Sequence, residues 1–333
     1  MKTRRVSVPW ILASAIPCVV AAFLWPTPAS LAALILWWLA CSLALGAQAN
    51  LWIHDLTGGG RWGEVLRPYL AQVRSWWPVL SLALLAMPLF MPLLYPWAEP
   101  GWTSGAAKPT FQMSWFSPGF VFIRLLLYVL LLNSAMFLFP GWAQRRRATS
   151  ERKHGLAAIG LLIWAMIASL LGVDLIMSLT PEWYSSGFGL IVLVAQLKLG
   201  LAWATMKAAP YAPRAVRRDL GNLLLGYTLM WAYLAWVQFQ IVWAENLPDE
   251  IGWYVLSLQT AWCYLALILV VFGLFIPLFL LLFRSVKQHP RRLQAVAALI
   301  AFMAVIETAW MVLPSVGSEA GSHDIGRTHE EKR

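Results

Sequence analysis

The sequence predicts an all-α, polytopic membrane protein, and three observations predict it. Nine apolar runs are long enough to cross a bilayer, near residues 8–25, 30–52, 76–96, 119–141, 155–179, 187–208, 219–245, 252–283 and 293–313. A crossing needs roughly 20 apolar residues, because ~30 Å of hydrocarbon is spanned at about 1.5 Å per residue. Composition agrees: 60% of the 333 residues are hydrophobic and 12% charged, with a mean hydropathy of +0.66, which excludes a soluble globular class. Third, the basic residues alternate between loops. The N-terminal tail and the second, fourth, sixth and eighth loops carry 3, 3, 5, 4 and 4 Lys or Arg, 19 of the chain's 25. The positive-inside rule reads this as a cytoplasmic N-terminus, nine helices and an outer C-terminus.

The first run (within 1–29) follows Lys2, Arg4 and Arg5, a start shared with signal peptides. It is read as an uncleaved transmembrane helix, because Pro26 and Pro28 crowd the would-be cleavage site and no A-x-A motif is present. Between the second and third runs lies a further helix, about 61–75. There Trp62, Val65, Leu66, Tyr69, Leu70, Val73 and Trp76 recur at helical spacing, with Arg61, Glu64, Arg67 and Arg74 at other positions around the turn. That pattern predicts an amphipathic helix in the cytoplasmic interface. The Gly58–Gly60 run before it is not a phosphate loop, since it lacks a G-K-[ST] ending and a preceding strand. After the fourth run comes the most basic cytoplasmic loop, with Arg145, Arg146, Arg147, Arg152 and Lys153. Nine of the fifteen acids fall on the outer side, and many of the 21 Trp sit at run ends, as aromatic belts do. The chain closes on a polar outer tail, 314–333.

Several function classes are excluded. The net charge of +10 comes from short cytoplasmic loops that set topology and touch anionic lipid heads, so no nucleic-acid partner is expected. A haem held across a bundle needs paired axial ligands within the membrane. All five histidines (His54, His154, His289, His323, His329) fall in loops, tails or helix ends. Cys18, Cys41 and Cys263 are isolated residues on separate helices, best read as packing residues. No catalytic nucleophile or metal site is predicted. Any redox metals, haem or iron–sulfur, are expected in partner subunits.

Ionisable groups within the runs are the remaining signal, because burying them in lipid costs several kcal/mol and they usually face protein or water. Four qualify: Arg124, Asp174, Lys198 and Glu307. Arg124, Asp174 and Glu307 lie about five or six residues from an outer helix end, roughly 8–9 Å deep at about 1.5 Å per residue. Lys198 is expected near the midplane, level with Asn133 and Ser134. Two readings stand side by side. In one, the charges only pair, Arg124 with Asp174 for example. In the other, Asp174, Lys198 and Glu307 relay protons toward the outside, with His54 and Asp55 at the inner boundary.

Four segments carry a family likeness: NLWIHDLTGGGRWG at 50–63, LLYPWA at 93–98, DLIMSLTPEWYSSGFG at 174–189, and DLGNLLLGYTLMWAYLAWVQFQIVWAENLPDEIGWY at 219–254. Together they resemble the second NrfD-like membrane subunit (ActF type) of alternative complex III, the bacterial quinol:cytochrome c oxidoreductase. Two positions depart from the family pattern: Leu175 stands where Trp is common, and Glu182 where His is common. The resemblance implies two four-helix bundles, helices two to five (30–179) and six to nine (187–313), with the first helix peripheral. It also implies a bacterial inner membrane, other membrane and cofactor-bearing subunits as partners, and a complex that handles quinol, whose site in that family is usually assigned to the other NrfD-like subunit. Arg124, Glu182, Trp183, Tyr184, Glu245, Asn246 and Glu250 are then expected in pairing or interface contacts, several at outer helix ends. The resulting expectation is a cofactor-free subunit of a quinol-oxidising respiratory complex, scaffolding its membrane sector and lining a proton route or quinone pocket. The rivals are a stand-alone transporter or proton pathway, and a structural or assembly protein.

Overall fold

The computed structural model describes residues 26–315, except 58–59, 100, 103–108, 139–149, 182 and 246–247, and except the side chains of 109, 150–153 and 248–250. The expected first crossing, the side chains of the Arg145–Lys153 cluster and the outer tail from 316 onward lie outside the described residues. Every regular element described is a helix. The principal ones are α1 (Pro26–Leu56), α2 (Arg61–Arg74), α3 (Trp77–Ala86), α4 (Pro118–Leu138), α5 (Ser150–Leu175), α6 (Phe188–Ala208), α7 (Arg214–Glu245), α8 (Pro248–Leu258), α9 (Cys263–Leu282) and α10 (Pro290–Val312). Proline opens α1, α4, α8 and α10, where its missing N–H would have no partner in any case. Among the described residues eight helical stretches are long and apolar enough to cross a membrane, α2 and α3 counting as one, Arg61–Leu89.

Two expected crossings are broken. The third, at 76–96, stays α-helical only to Ala86. It then passes through a 3₁₀ turn (Met87–Leu89), a single α turn (Met91–Leu94) and another 3₁₀ turn (Pro96–Ala98). Pro88, Pro92 and Pro96 recur every four residues, and each removes a ladder N–H and crowds the preceding turn. The eighth, at 252–283, divides into α8 and α9 around residues 259–262. There the Thr260 hydroxyl donates to the Leu256 carbonyl (2.7 Å) and accepts from the Trp262 amide (3.4 Å), local bonds that compete with the helix ladder. Farther on, α9 winds as a π-helix over Leu269–Phe275.

The expected interfacial helix is α2, and its apolar face meets protein. Gly63, Leu66, Leu70 and Val73 are buried against α1, α6 and α7, while Trp76 is left exposed. Four helices, α1, α5, α6 and α10, pack on one another at the centre. Outside them α3 and α4 pack together beside α1 and α5, and α7 and α9 pack together beside α6 and α10. Position in this order shows in burial: 67% of the apolar stretch of α6 is buried against 22% of that of α9. Outer faces carry large exposed apolar side chains such as Val79, Phe137, Leu162 and Leu267, the surface a lipid-facing helix presents.

At the centre α1 and α6 touch backbone to backbone. A Cβ on Gly46 would lie 1.8 Å from the Gln196 carbonyl oxygen, and one on Gly200 would lie 2.6 Å from the Gly46 carbonyl carbon. Close approach of this kind is how helices associate where lipid removes the hydrophobic drive. Asn50 clamps the crossing by donating to the carbonyls of Gly46 (2.7 Å) and Leu197 (3.0 Å), and Tyr227 donates to its side-chain oxygen.

Candidate functional site

Asp174, near the C-terminal end of α5, is buried and faces Arg124 on α4. The guanidinium binds it in a fork, Nε to Oδ2 at 3.1 Å and Nη2 to Oδ1 at 3.1 Å. Trp115 Nε1 donates to Oδ1 (3.0 Å) and the Tyr128 hydroxyl to Oδ2 (2.9 Å). An ionised carboxylate offers about four lone-pair positions, and these four donors fill them. Arg124 is held further: Nη1 donates to the Trp115 carbonyl (2.6 Å), and its guanidinium carbon lies 4.0 Å from the Trp115 ring centroid. A planar fork over an aromatic face is guanidinium chemistry that lysine cannot reproduce.

The second cluster joins α6, α7 and α10. Lys198 Nζ donates to Glu307 Oε2 at 3.3 Å, both side chains being almost wholly buried. Trp231 Nε1 donates to Glu307 Oε1 at 2.6 Å, and the same Trp231 ring lies 3.7 Å from the ammonium. One tryptophan thus serves the anion with its edge and the cation with its face. Lys198, expected near the midplane, and Glu307, expected nearer an outer helix end, meet through their side chains. Counting along helix axes ignores the four-carbon stem of lysine, which carries its charge far from its own Cα. Asp174 shares no hydrogen bond or ion pair with either residue, so the three relay candidates form two separate clusters.

The inner-boundary candidates sit where α1 meets α2. His54 Nε2 is 3.0 Å from the Gly60 carbonyl, which can only accept, so Nε2 is the donor there. Nδ1 faces Arg67 Nη2 (3.5 Å), and Arg67 also reaches Asp55 (3.5 Å). A Cβ at Gly63 would lie 1.8 Å from the His54 ring, so glycine there lets α2 close over it.

The outer candidates divide. Trp183 is buried and stacks on Trp253 of α8, ring centroids 4.8 Å apart and 17° between planes, so it links the turn after α5 to α8. Tyr184 and Glu245 are exposed. Glu182, Asn246 and the side chain of Glu250 lie outside the described residues. Sequence reasoning missed Trp115, Tyr128 and Trp231, which complete both charge clusters; for Tyr128 and Trp231 the signal available was an aromatic with a polar tip at a helical position inside a crossing, whereas Trp115 lies just ahead of the fourth crossing. Among the described residues no three His, Cys, Asp or Glu side chains gather as a metal site would require. Comparison of the chain with protein-family models and with curated proteins finds no match.

Proposed function

We propose that this chain is a cofactor-free integral membrane subunit of a quinol-oxidising respiratory electron-transfer complex, of the alternative complex III kind. In this reading nine helices cross a bacterial inner membrane, with the N-terminus cytoplasmic and the C-terminus periplasmic. The segments α1 to α5 and α6 to α10 make two four-helix bundles, and the N-terminal helix stands outside them. The chain scaffolds the membrane sector, while haem and iron–sulfur groups belong to partner subunits.

One observation carries the reading beyond the resemblance of residues 50–63, 93–98, 174–189 and 219–254. Each half holds one carboxylate near the end of its last helix, Asp174 on α5 and Glu307 on α10. Each carboxylate accepts from a tryptophan indole and a cation. Within each half the first and last helices also pack together, α1 with α5 and α6 with α10, although α1 and α6 meet across the division. The Lys198–Glu307 pair also favours a second role, a proton-exchanging station within the outer half of the membrane. A lysine and a carboxylate 3.3 Å apart can pass one proton between them.

Affinity purification of the full chain from its native membranes in mild detergent tests the assignment. The expected result is co-isolation of haem- and iron–sulfur-bearing subunits with quinol-dependent reduction of cytochrome c. A chain that emerges alone, without such activity in the eluate, overturns it in favour of a stand-alone ion pathway.

A further inference from the structure

Where α2 gives way to α3, a cavity of ≈ 320 Å³ opens against the last turn of α4, within the size range of small-molecule sites. Arg74, Trp77 and Pro78 line it from one side, and Asn133, Met136 and Phe137 from the other. Its rim belongs to the lipid-facing surface. Phe137 is 83% exposed, and Val79 and Leu82, farther along α3, are exposed as well. In the proposed orientation the α2–α3 junction and this end of α4 are on the cytoplasmic side, at the depth of the lipid headgroups.

The polar groups in this cavity are suited to an anion. Arg74 Nη2 donates to the Met136 carbonyl at 2.8 Å, which pins a guanidinium to the cavity wall. Snorkelling alone would send an interfacial arginine out to water; Arg74 turns instead to the end of α4. A guanidinium stays charged and presents its N–H donors in a planar fork that matches phosphate oxygens. Trp77 is only 1% exposed, and its indole N–H is buried without a hydrogen-bond partner among the described residues. Buried donors are paired in the great majority of cases, so an unmet indole beside a guanidinium marks a place for an acceptor. The neighbouring polar groups are spent. Asn133 gives its amide hydrogens to Ser81 Oγ (3.1 Å) and the Val129 carbonyl (2.8 Å), and the Ser75 hydroxyl donates to the Gln72 carbonyl (2.6 Å). Among the described residues no acid lines the cavity.

We infer that this cavity holds the phosphate of an anionic phospholipid from the cytoplasmic leaflet. The phosphate oxygens accept from the Arg74 fork and the Trp77 indole, and the acyl chains run along Val79, Leu82 and Phe137. A zwitterionic lipid would bring a second, cationic group to a pocket without a described acid to receive it. Free phosphate makes no use of the apolar rim. A lipid seated here fastens the α2–α3 junction to α4 from the membrane side. The site needs only the bilayer, and it stands whether or not the chain assembles with cofactor-bearing subunits.

Photolabelling of the full chain tests it, in phosphatidylcholine nanodiscs doped with a phosphatidylglycerol that carries a diazirine on its acyl chain. The expected label has a saturable component in α3 and α4 peptides. Unlabelled phosphatidylglycerol displaces it; phosphatidylethanolamine and millimolar inorganic phosphate do not. Arg74→Gln should weaken apparent affinity at least about tenfold, since hydrogen bonds to charged groups are the stronger class. Trp77→Phe keeps an aromatic ring and deletes the unmet donor, and should weaken it roughly 3- to 10-fold, the worth of one hydrogen bond. Arg284→Gln, which removes an exposed arginine away from the cavity, should leave it unchanged. Labelling that survives both Arg74→Gln and Trp77→Phe overturns the site, and an equal loss in Arg284→Gln replaces it with diffuse surface charge. Displacement by inorganic phosphate overturns the lipid in favour of a soluble anion, and equal displacement by phosphatidylethanolamine overturns the preference for an anionic headgroup.

Discussion

Removing the charge of Lys198 should expose how far the second cluster depends on pairing. Lys198→Met keeps the side-chain length but leaves Glu307 buried with the Trp231 N–H as its remaining donor. Breaking a buried ion pair in a soluble protein costs about 3–5 kcal/mol. In a membrane the unfolded reference keeps its helices and finds other partners, which lowers the figure to about 2–4 kcal/mol. At 1.36 kcal/mol per decade this is a shift of roughly 30- to 900-fold in the folded-to-unfolded ratio. Glu307→Gln added to Lys198→Met removes the stranded charge while keeping an oxygen for Trp231, and should bring stability back to within about 1.5 kcal/mol of the parent. Equilibrium unfolding in mixed micelles, followed by tryptophan fluorescence for all four members of the cycle, yields the coupling energy. Additive single effects, each below about 0.5 kcal/mol, would refute the reasoning, because they would mean that water or lipid headgroups screen the pair.

Asp174→Asn should destabilise by about 2–4 kcal/mol, since it strands the Arg124 guanidinium, whereas Tyr128→Phe removes one of four donors and should cost about 1 kcal/mol; equal effects in unfolding curves would contradict the filled-carboxylate account. Gly46→Val should cost at least about 3 kcal/mol or block folding, because its Cβ would meet backbone at 1.8 Å. Gly226→Ala on α7, with nothing within 4 Å, should gain about 0.5–1 kcal/mol in the same assay. Ala148→Cys, in the basic loop, should react with a membrane-impermeant maleimide only when the cytoplasmic face is open; labelling of intact cells from outside would invert the topology.

Much of the fold was legible because a bilayer leaves the chain few choices. Each run of apolar residues must satisfy its own backbone, so the stretches ending at Leu138, Ala208, Glu245 and Val312 could be read within a few residues. The breaks were harder. Hydropathy alone carried 76–96 as one crossing, although Pro88, Pro92 and Pro96 stood in view. The break before Cys263 turns on Thr260 bonding to its own backbone, which no hydropathy sum detects. For the charges, sequence marked the four residues that need partners, and Arg124 with Asp174 could be paired because both lie at one depth on consecutive crossings. Lys198 and Glu307 are 109 residues apart, and the reach of a lysine stem is not a sequence property. Trp231 was hidden by abundance: among 21 tryptophans a belt residue and a charge-cluster residue look alike until packing separates them.

The glycine crossing of α1 and α6 bears on where water can go. Gly46 and Gly200 bring two backbones into contact with no side chain between them, and Asn50 ties across the join. A passage running between α1 and α6 at the level of Gly46 and Gly200 is barred by that backbone contact. Any hydrated passage has to run elsewhere than between these two helices at that level. Widening this seam with paired small-to-large changes would therefore break the fold before it opened a leak.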